Sequence, residues 1–144
     1  MASIHDIQND IIEEFDMFDE WMEKYEHIIE LGKTLPLIDA QYKTEEHIIK
    51  GCQSQVWLHA DFQNGNVIYT ADSDAIMTKG IIALLVRTFS NQNPNNIVNA
   101  NTDFIDQIGL KEQLSPTRAN GLLSMVKQMK LYALAFQSKN TKAC

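Results

Sequence analysis

The fold is decided by residues 55–71, QVWLHADFQNGNVIYTA. Within this stretch, side chains at positions 56–62 alternate between two faces, which is typical of a half-buried strand. Asn64-Gly65 is a favoured two-residue turn of a β-hairpin, and residues 67–71 then return as the partner strand. The pattern therefore predicts an antiparallel hairpin. One face carries Val56, Leu58, Ala60 and Phe62, and the other carries Trp57, His59 and Asp61.

Helical patterns precede the hairpin. Apolar residues recur at helical spacing from residue 4 to residue 31, with a break at residues 16–19. We expect two helices with a tight joint, Ser3 and Asp19 as their N-caps, and Gly32 as a left-handed C-cap. A short extended segment at residues 47–50 then leads into the hairpin, so the predicted sheet is a small antiparallel meander.

Two more helices are predicted after the hairpin. Asp72-Ser73-Asp74 supplies N-cap chemistry for a central apolar helix over about 75–90. Ser115-Pro116 starts a last helix, with proline at its first position. Residues 138–144 are predicted to be a flexible tail. We therefore expect a single α+β domain over residues 1–144, with helices packed on one side of a small sheet.

Composition limits the classes of function. The chain has 144 residues and a formal net charge of −7, so nonspecific phosphate binding by a nucleic-acid module is not expected. Two cysteines cannot form a disulfide framework or a four-thiolate metal site. The longest apolar run, residues 81–86, is too short to cross a membrane, and residues 1–10 do not resemble a signal peptide. A cytoplasmic protein is expected.

The charges are distributed unevenly along the chain. Residues 1–30 hold ten acidic residues and one base, Lys24, whereas from residue 111 onward six bases face the single acid Glu112. Such an asymmetry can steer a charged protein partner towards one end of the molecule. The simpler interpretation is that both ends are helices with solvated faces.

Cys52 is the main candidate for chemistry. It stands in Gly51-Cys52-Gln53-Ser54, directly before the predicted strand. A single cysteine is often an unreactive residue of the core, but its neighbours Gln53 and Ser54 are polar and do not favour a core position. A cysteine at a loop tip is accessible to a reactive group of another protein, and a nearby cation favours its thiolate.

Arg118 is the candidate for that cation. It falls in the first turn of the last helix, where the helix dipole disfavours positive charge. A tertiary contact is therefore expected, either with a carboxylate such as Asp74 or with the cysteine loop, although a solvated arginine remains an alternative. His47 is near Cys52 in sequence, but a surface histidine is the more ordinary interpretation. The four histidines show no metal-ligand spacing, so no metal site is expected.

The segment GCQSQVW, residues 51–57, resembles the active-site signature of the SufE family, the sulfur acceptors that serve cysteine desulfurases in iron–sulfur cluster assembly. Three further blocks are similar to the same family and occur in the same order, so the resemblance covers about residues 20–130. The blocks are Trp21 with Lys24-Tyr25, Ile28–Gly32 and Leu35-Pro36; Asp72–Ala75 with Lys79-Gly80; and Leu114–Arg118 with Gly121-Leu122.

The resemblance implies a three-stranded antiparallel sheet packed against helices, a SufE/NifU-like fold shared with scaffold proteins of cluster assembly. It implies that Cys52 accepts sulfur, that Gly51 gives the loop its turn, and that Gln53 and Ser54 hydrogen-bond the persulfide. Asp74 and Arg118 occupy family-like positions, and we expect them to shape the partner surface or the cysteine loop.

The resemblance also implies a function. A SufS-like cysteine desulfurase would hold sulfur as a persulfide on its own cysteine, Cys52 would take that sulfur, and a SufBCD-like scaffold would receive it. Pyridoxal phosphate belongs to the desulfurase, so no cofactor is expected here, and the chain is expected to activate its partner without being an independent enzyme. Whether it is a monomer or a homodimer is left open.

Two other functions compete with sulfur transfer. An iron–sulfur or metal scaffold of the same fold would need several converging ligands, and Cys52 is the one cysteine outside the tail. A cysteine hydrolase would need a histidine beside Cys52, for which His47 is the neighbour in sequence. Cys144 lies outside the family pattern and is expected to be a tail thiol.

Overall fold

A computed structural model describes residues 3–142, without the side chains of Lys111 and of residues 139–142. It is an α+β arrangement in which helices cover a two-stranded sheet. The elements are α1 (Ile4–Asp16), α2 (Trp21–Gly32), 3₁₀ turns at Ala40–Tyr42 and Glu45–His47, β1 (Val56–Gln63), β2 (Asn66–Ser73), α3 (Ile76–Phe89), α4 (Pro94–Asn99), α5 (Asp103–Gln107), α6 (Leu110–Gln113) and α7 (Pro116–Lys142).

The predicted hairpin is confirmed. β1 and β2 pair antiparallel from Val56 opposite Ser73 to Gln63 opposite Asn66. The turn residues Asn64 and Gly65 have φ angles of 52° and 83°, which is the left-handed backbone that a two-residue hairpin turn requires. Burial alternates along β2, so one face of the hairpin lies in the core.

The prediction of a three-stranded sheet is wrong, because the described residues form a sheet of two strands. The segment at 47–50 makes one antiparallel bridge, Ile48 opposite Trp57, and the Ile49 N–H donates to Val56 O at 2.8 Å. A 3₁₀ turn ends at His47, and Gly51 leaves the extended conformation with a φ of 93°. Only residues 48–50 remain between the 3₁₀ turn and Gly51, which is too few for a strand.

The two N-terminal helices are confirmed, but two of their predicted ends are not. Ser3 caps α1 by accepting the Asp6 N–H. Asp19 does not cap α2, since Glu20 occupies the N-cap and makes no side-chain capping bond. Gly32 is a residue of α2 and not a left-handed cap. A Cβ on Gly32 would lie 3.1 Å from the backbone N of Gly80, so this glycine allows α2 and α3 to approach closely.

The apolar helix α3 is central, as predicted, and most of its side chains are buried. Its predicted cap is wrong, because Ala75 is at the N-cap and makes no side-chain capping bond. Asp72 instead binds Lys43 Nζ at 3.1 Å and Lys79 Nζ at 3.4 Å. Burial alone would raise the pKa of the Asp72 carboxyl, but the Ser73 N–H and the two cations outweigh it and hold this pKa below its usual range.

Helix α7 joins the sheet to the rest of the core. The buried Tyr69 hydroxyl of β2 donates to Met129 O at 2.5 Å, and the Tyr132 hydroxyl of α7 donates to Leu58 O of β1 at 3.3 Å.

Ser115 caps the N-terminus of α7, as predicted. Its Oγ accepts the backbone N–H of Arg118.

The helix α7 continues to Lys142. Residues 138–142, the described part of the predicted tail, are therefore helical, and the flexibility of the tail stays a prediction. Cys144 lies outside the described residues.

Candidate functional site

Cys52 lies on the loop that connects the 47–50 segment to β1. Gly51 begins this loop with a φ of 93°, a backbone conformation that other residues adopt only with strain. A Cβ on Gly51 would lie 2.6 Å from Ser124 Oγ of α7, so glycine also allows the loop to lie against that helix. Both the positive φ and the close approach to α7 therefore explain why a glycine stands at the turn that the family signature implied.

Asp74 holds the other end of the loop. Its Oδ1 accepts the Gln55 N–H at 3.0 Å, and its own N–H donates to Gln55 O at 3.2 Å. Between these ends, Thr78 Oγ1 of α3 donates to Ser54 Oγ at 3.5 Å. The loop that carries Cys52 is therefore positioned by contacts with α3 and α7 as well as by its own backbone.

The thiol of Cys52 points to the first turns of α7. Its Sγ donates to Gly121 O at 3.6 Å, and a Cβ on Gly121 would lie 3.5 Å from that sulfur, which is ordinary van der Waals distance. The cysteine is half-buried, and this burial raises the pKa of the thiol. In the conformation described, the thiol is sheltered and less of it is ionised than in an exposed cysteine.

A small pocket adjoins the sulfur. Its volume is about 40 Å³, whereas pockets for small-molecule substrates hold roughly 300–1,000 Å³. The pocket is therefore suited to a few atoms rather than to a metabolite. It is lined by Cys52, Gln53, Ser54, Thr78, Ile81, Thr117, Arg118, Gly121 and Met125.

Arg118 lines this pocket together with Cys52, Gln53 and Ser54 of the cysteine loop. No carboxylate of the described side chains lies within 4.0 Å of its guanidinium. The expected alternative, an ion pair between Arg118 and Asp74, is not formed. A positive charge close to a thiol favours its anionic form, but burial is what sets the pKa of Cys52 here, and it raises that pKa.

Gln53 and Ser54 also line the pocket, at the positions that the family signature indicated. The contributions of Thr78, Ser124 and Met125 could not be read from the sequence, because each comes from a helix far along the chain from Cys52. The sequence indicated Gly121 only weakly, because this glycine belongs to the family-like block at the start of the last helix.

His47 is not part of the pocket. Its Nδ1 is 3.1 Å from Thr44 Oγ1, and its Nε2 is 3.3 Å from Nδ1 of His59. Tyr42 stacks on His59 with the ring centroids 3.7 Å apart. His47 thus belongs to an aromatic cluster on the outer face of β1, and no histidine of the described chain lines the pocket beside the thiol.

The described residues contain no group of three or more His, Cys, Asp or Glu side chains that could hold a metal ion. In the same part of the chain, no helix is both long enough and apolar enough to cross a membrane.

A family model, described as Fe-S metabolism associated domain and named SufE, matches residues 9–133. This extends slightly beyond the range of about 20–130 that the sequence blocks indicated. Among curated proteins, SufE-like protein 1 of Arabidopsis thaliana, chloroplastic/mitochondrial, is 43% identical over 131 residues, covering 90% of this chain and 35% of that protein. This chain thus spans about a third of that relative's length.

A second relative, the uncharacterized SufE-like protein slr1419 of Synechocystis, is 38% identical over 127 residues and is matched over 80% of its length. The solution structure of a hypothetical protein from Thermus thermophilus has a TM-score of 0.77, with 92% of this chain and 96% of that chain covered. At 19% identity this likeness establishes the fold alone. The family model and the identity to curated relatives establish more: the chain belongs to the SufE family and carries its Fe–S metabolism associated domain.

Proposed function

We propose that this protein accepts sulfur from a SufS-like cysteine desulfurase as a persulfide on Cys52 and carries it to a SufBCD-like scaffold for iron–sulfur cluster assembly. The observation that carries the proposal is the position of Cys52. It lies on a loop tip, half-buried, beside a pocket of about 40 Å³ that Arg118 also lines. A pocket of this size suits one or two sulfur atoms and not a separate substrate.

The transfer step needs no external oxidant. The Cys52 thiolate attacks the terminal sulfur of the desulfurase persulfide, the S–S bond of that persulfide breaks, and the desulfurase cysteine leaves as a thiolate. Cys52 then holds the sulfur atom, and the oxidation level of the pair is unchanged. The proton of the Cys52 thiol passes to solvent or to the departing thiolate.

The surroundings of Cys52 suit both protection of the thiol in the free protein and its reaction in the complex with the desulfurase. In the free protein, burial keeps the thiol largely protonated, which limits reaction with stray oxidants. Attack on a persulfide requires the thiolate, so docking must expose the sulfur or move a cation of the pocket close enough to stabilise its charge. Arg118 is that cation in our proposal, with Gln53 and Ser54 as hydrogen-bond donors to the acquired persulfide.

Removal of sulfur from the desulfurase also explains activation. The desulfurase cannot begin another cycle while its own cysteine carries sulfur, so an acceptor accelerates turnover without catalysing a reaction alone. In this proposal the chain is a carrier and an activator, the pyridoxal phosphate stays on the desulfurase, and no cofactor is held by this chain. A cytoplasmic location, and a monomeric or homodimeric state, remain predictions.

The competing functions have less support. A cysteine hydrolase needs a base beside its nucleophile, and His47 is engaged with Thr44 and His59 instead. A metal scaffold needs converging ligands, and the described residues that line the Cys52 pocket include no His, Asp or Glu.

Desulfurase turnover tests the proposal. Alanine formation from L-cysteine should rise when wild-type protein is added to a SufS-like enzyme and should not rise with Cys52→Ser. Arg118→Ala should lower the stimulation about tenfold or more, because a charge-assisted contact contributes about 1.5–3 kcal/mol. Lys33→Ala, which removes an exposed cation paired with Glu30, is the matched control and should behave like wild type. Full stimulation by Cys52→Ser would contradict the proposal.

A further inference from the structure

A groove runs along α7 among partly exposed leucines. Leu123, Leu131 and Leu134 are 47%, 47% and 48% exposed and lie along one side of the helix. Lys127 and Lys130 stand among them, and the groove has a volume of about 350 Å³. Val98 of α4 and Val126 of α7 also line it.

The groove faces away from Cys52. Successive residues of an α-helix are rotated by about 100°, so around α7 Lys127 is separated by about 120° and Lys130 by about 180° from Gly121, which contacts the thiol. Leu122, Met129 and Ala133 are buried and lie between the two faces on one side of α7. A protein bound in the groove would therefore leave the Cys52 pocket open.

The charge of the groove differs from that of the whole molecule. The chain has a formal net charge of −7, yet none of the described side chains that line the groove is acidic. Lys130 Nζ donates to Ala100 O at 2.5 Å, whereas Lys127 is exposed. At physiological salt the field of a charge is screened within about 8 Å, so an approaching partner responds mainly to these two lysines.

We propose that this groove, defined by Leu123, Lys127, Lys130, Leu131 and Leu134, binds an amphipathic helix of another protein whose apolar side chains are flanked by Asp or Glu. Leucines on one side of α7, with Val98 of α4 beside them, suit the helix-in-groove mode of recognition. The lysines favour an acidic partner and disfavour a basic one. The proposal does not depend on the chemistry of Cys52.

Two other occupants fit the groove less well. A two-fold pairing of two grooves would bring Lys127 of one copy towards Lys127 of the other, and like charges at an interface oppose association. Contact between this groove and the acidic N-terminal helices of a second copy would make the chain self-associate, and sedimentation distinguishes that occupant from another protein. An anionic membrane would meet a chain of net negative charge, which opposes binding.

The test uses a synthetic helical peptide as the probe. The peptide has leucines at helical spacing flanked by glutamates, and its twin has lysine at each glutamate position. In a titration of ¹⁵N-labelled protein, the acidic peptide should shift the amides of residues 123–134 saturably and should bind more weakly as salt increases. Leu131→Ser and Lys127→Glu should each weaken binding about tenfold. Both positions are exposed, and an unchanged melting temperature will show that the variants fold.

Several results would overturn the proposal. Equal or tighter binding of the lysine twin, shifts outside the groove, or unchanged affinity of Leu131→Ser would each do so. Sedimentation that shows self-association lost in Leu131→Ser would assign the groove to a second copy. Cosedimentation with phosphatidylserine vesicles that depends on Leu131 would assign it to a membrane. The rate of Cys52 persulfidation should be the same in Leu131→Ser and wild type, so failure here is distinct from failure of sulfur transfer.

Discussion

The reactivity of Cys52 depends on how far its sulfur is desolvated against α7. Burial disfavours the charged form of a thiol, so the pKa is raised and the thiolate fraction at neutral pH is reduced. Because only the thiolate reacts with iodoacetamide, alkylation of folded protein should be slower at pH 7 than alkylation of the same cysteine in the guanidinium-unfolded chain. The rate should also reach its plateau at higher pH in the folded protein.

Peptide mapping by mass spectrometry distinguishes Cys52 from Cys144 in this measurement. If the folded protein reacts as fast as the unfolded chain at every pH, the thiol is not sheltered in the free protein.

The carboxylate of Asp74 should control the mobility of the cysteine loop. Asp74→Ala removes the acceptor of the Gln55 N–H, and the loss of one hydrogen bond costs about 1 kcal/mol. We therefore expect Cys52 of this variant to be alkylated about fivefold faster than in wild type. Asp74→Asn retains a side-chain oxygen that can accept the same bond and should remain close to wild type. Equal rates in wild type and Asp74→Ala would contradict this role.

Among single residues, the sequence indicated Cys52 and its loop neighbours, because GCQSQVW is a compact local signature. It offered the cysteine loop as one of three environments for Arg118, beside an ion pair with Asp74 and a solvated side chain, since a positive charge is disfavoured in a first helical turn. It did not indicate Thr78 or Ser124. These residues reach the loop only because α3 and α7 pack beside it, and nothing local in the sequence encodes that approach.

The contact between α2 and α3 depends on Gly80, because the backbone of α2 occupies the place where a side chain at this position would lie. A Cβ on Gly80 would overlap Ile28 O and would lie 2.7 Å from the carbonyl carbon of the same residue, and this backbone cannot rotate away. Gly80→Ala should therefore lower the free energy of unfolding by about 3 kcal/mol. Thermal and urea unfolding measure this change.

Gly121→Ala is the matched control for Gly80→Ala. Gly121 is also helical, but a Cβ there meets its nearest atom, Cys52 Sγ, at 3.5 Å. Because alanine favours the helix over glycine by about 1 kcal/mol, this variant should be as stable as wild type or more stable. A destabilisation of Gly121→Ala equal to that of Gly80→Ala would show that close packing of α2 and α3 is not the cause.

Among the helices and strands, predictions succeeded where the signal was local. The Asn64-Gly65 turn and the alternation on each side of it define the hairpin. Predictions failed where a residue serves a distant partner. Gly32 allows α2 and α3 to pack closely and does not end a helix as a left-handed cap. Asp74 accepts the Gln55 N–H and does not cap α3. The third strand was wrong because a 3₁₀ turn and Gly51 shorten it to one bridge.

For the molecule as a whole, the fold class follows from the order of the elements along the chain. Two helices, a hairpin and a run of helices favour an arrangement in which the helices cover one face of a small sheet. The joining of the sheet to α7 by Tyr69 and Tyr132 was not visible in the sequence, since each hydroxyl binds a main-chain oxygen of another element. The charge asymmetry was visible, and it coincides with the groove on α7.

Sulfur transfer requires that Cys52 accept the sulfur atom, and intact mass spectrometry tests this most directly. The protein is mixed with a SufS-like desulfurase and L-cysteine, beside a Cys52→Ser variant in which Cys144 is retained. We expect a gain of one sulfur atom that a reductant removes, mapped to Cys52 and lost in the variant. No gain, or a gain that persists in Cys52→Ser, would contradict the assignment of Cys52 as the acceptor.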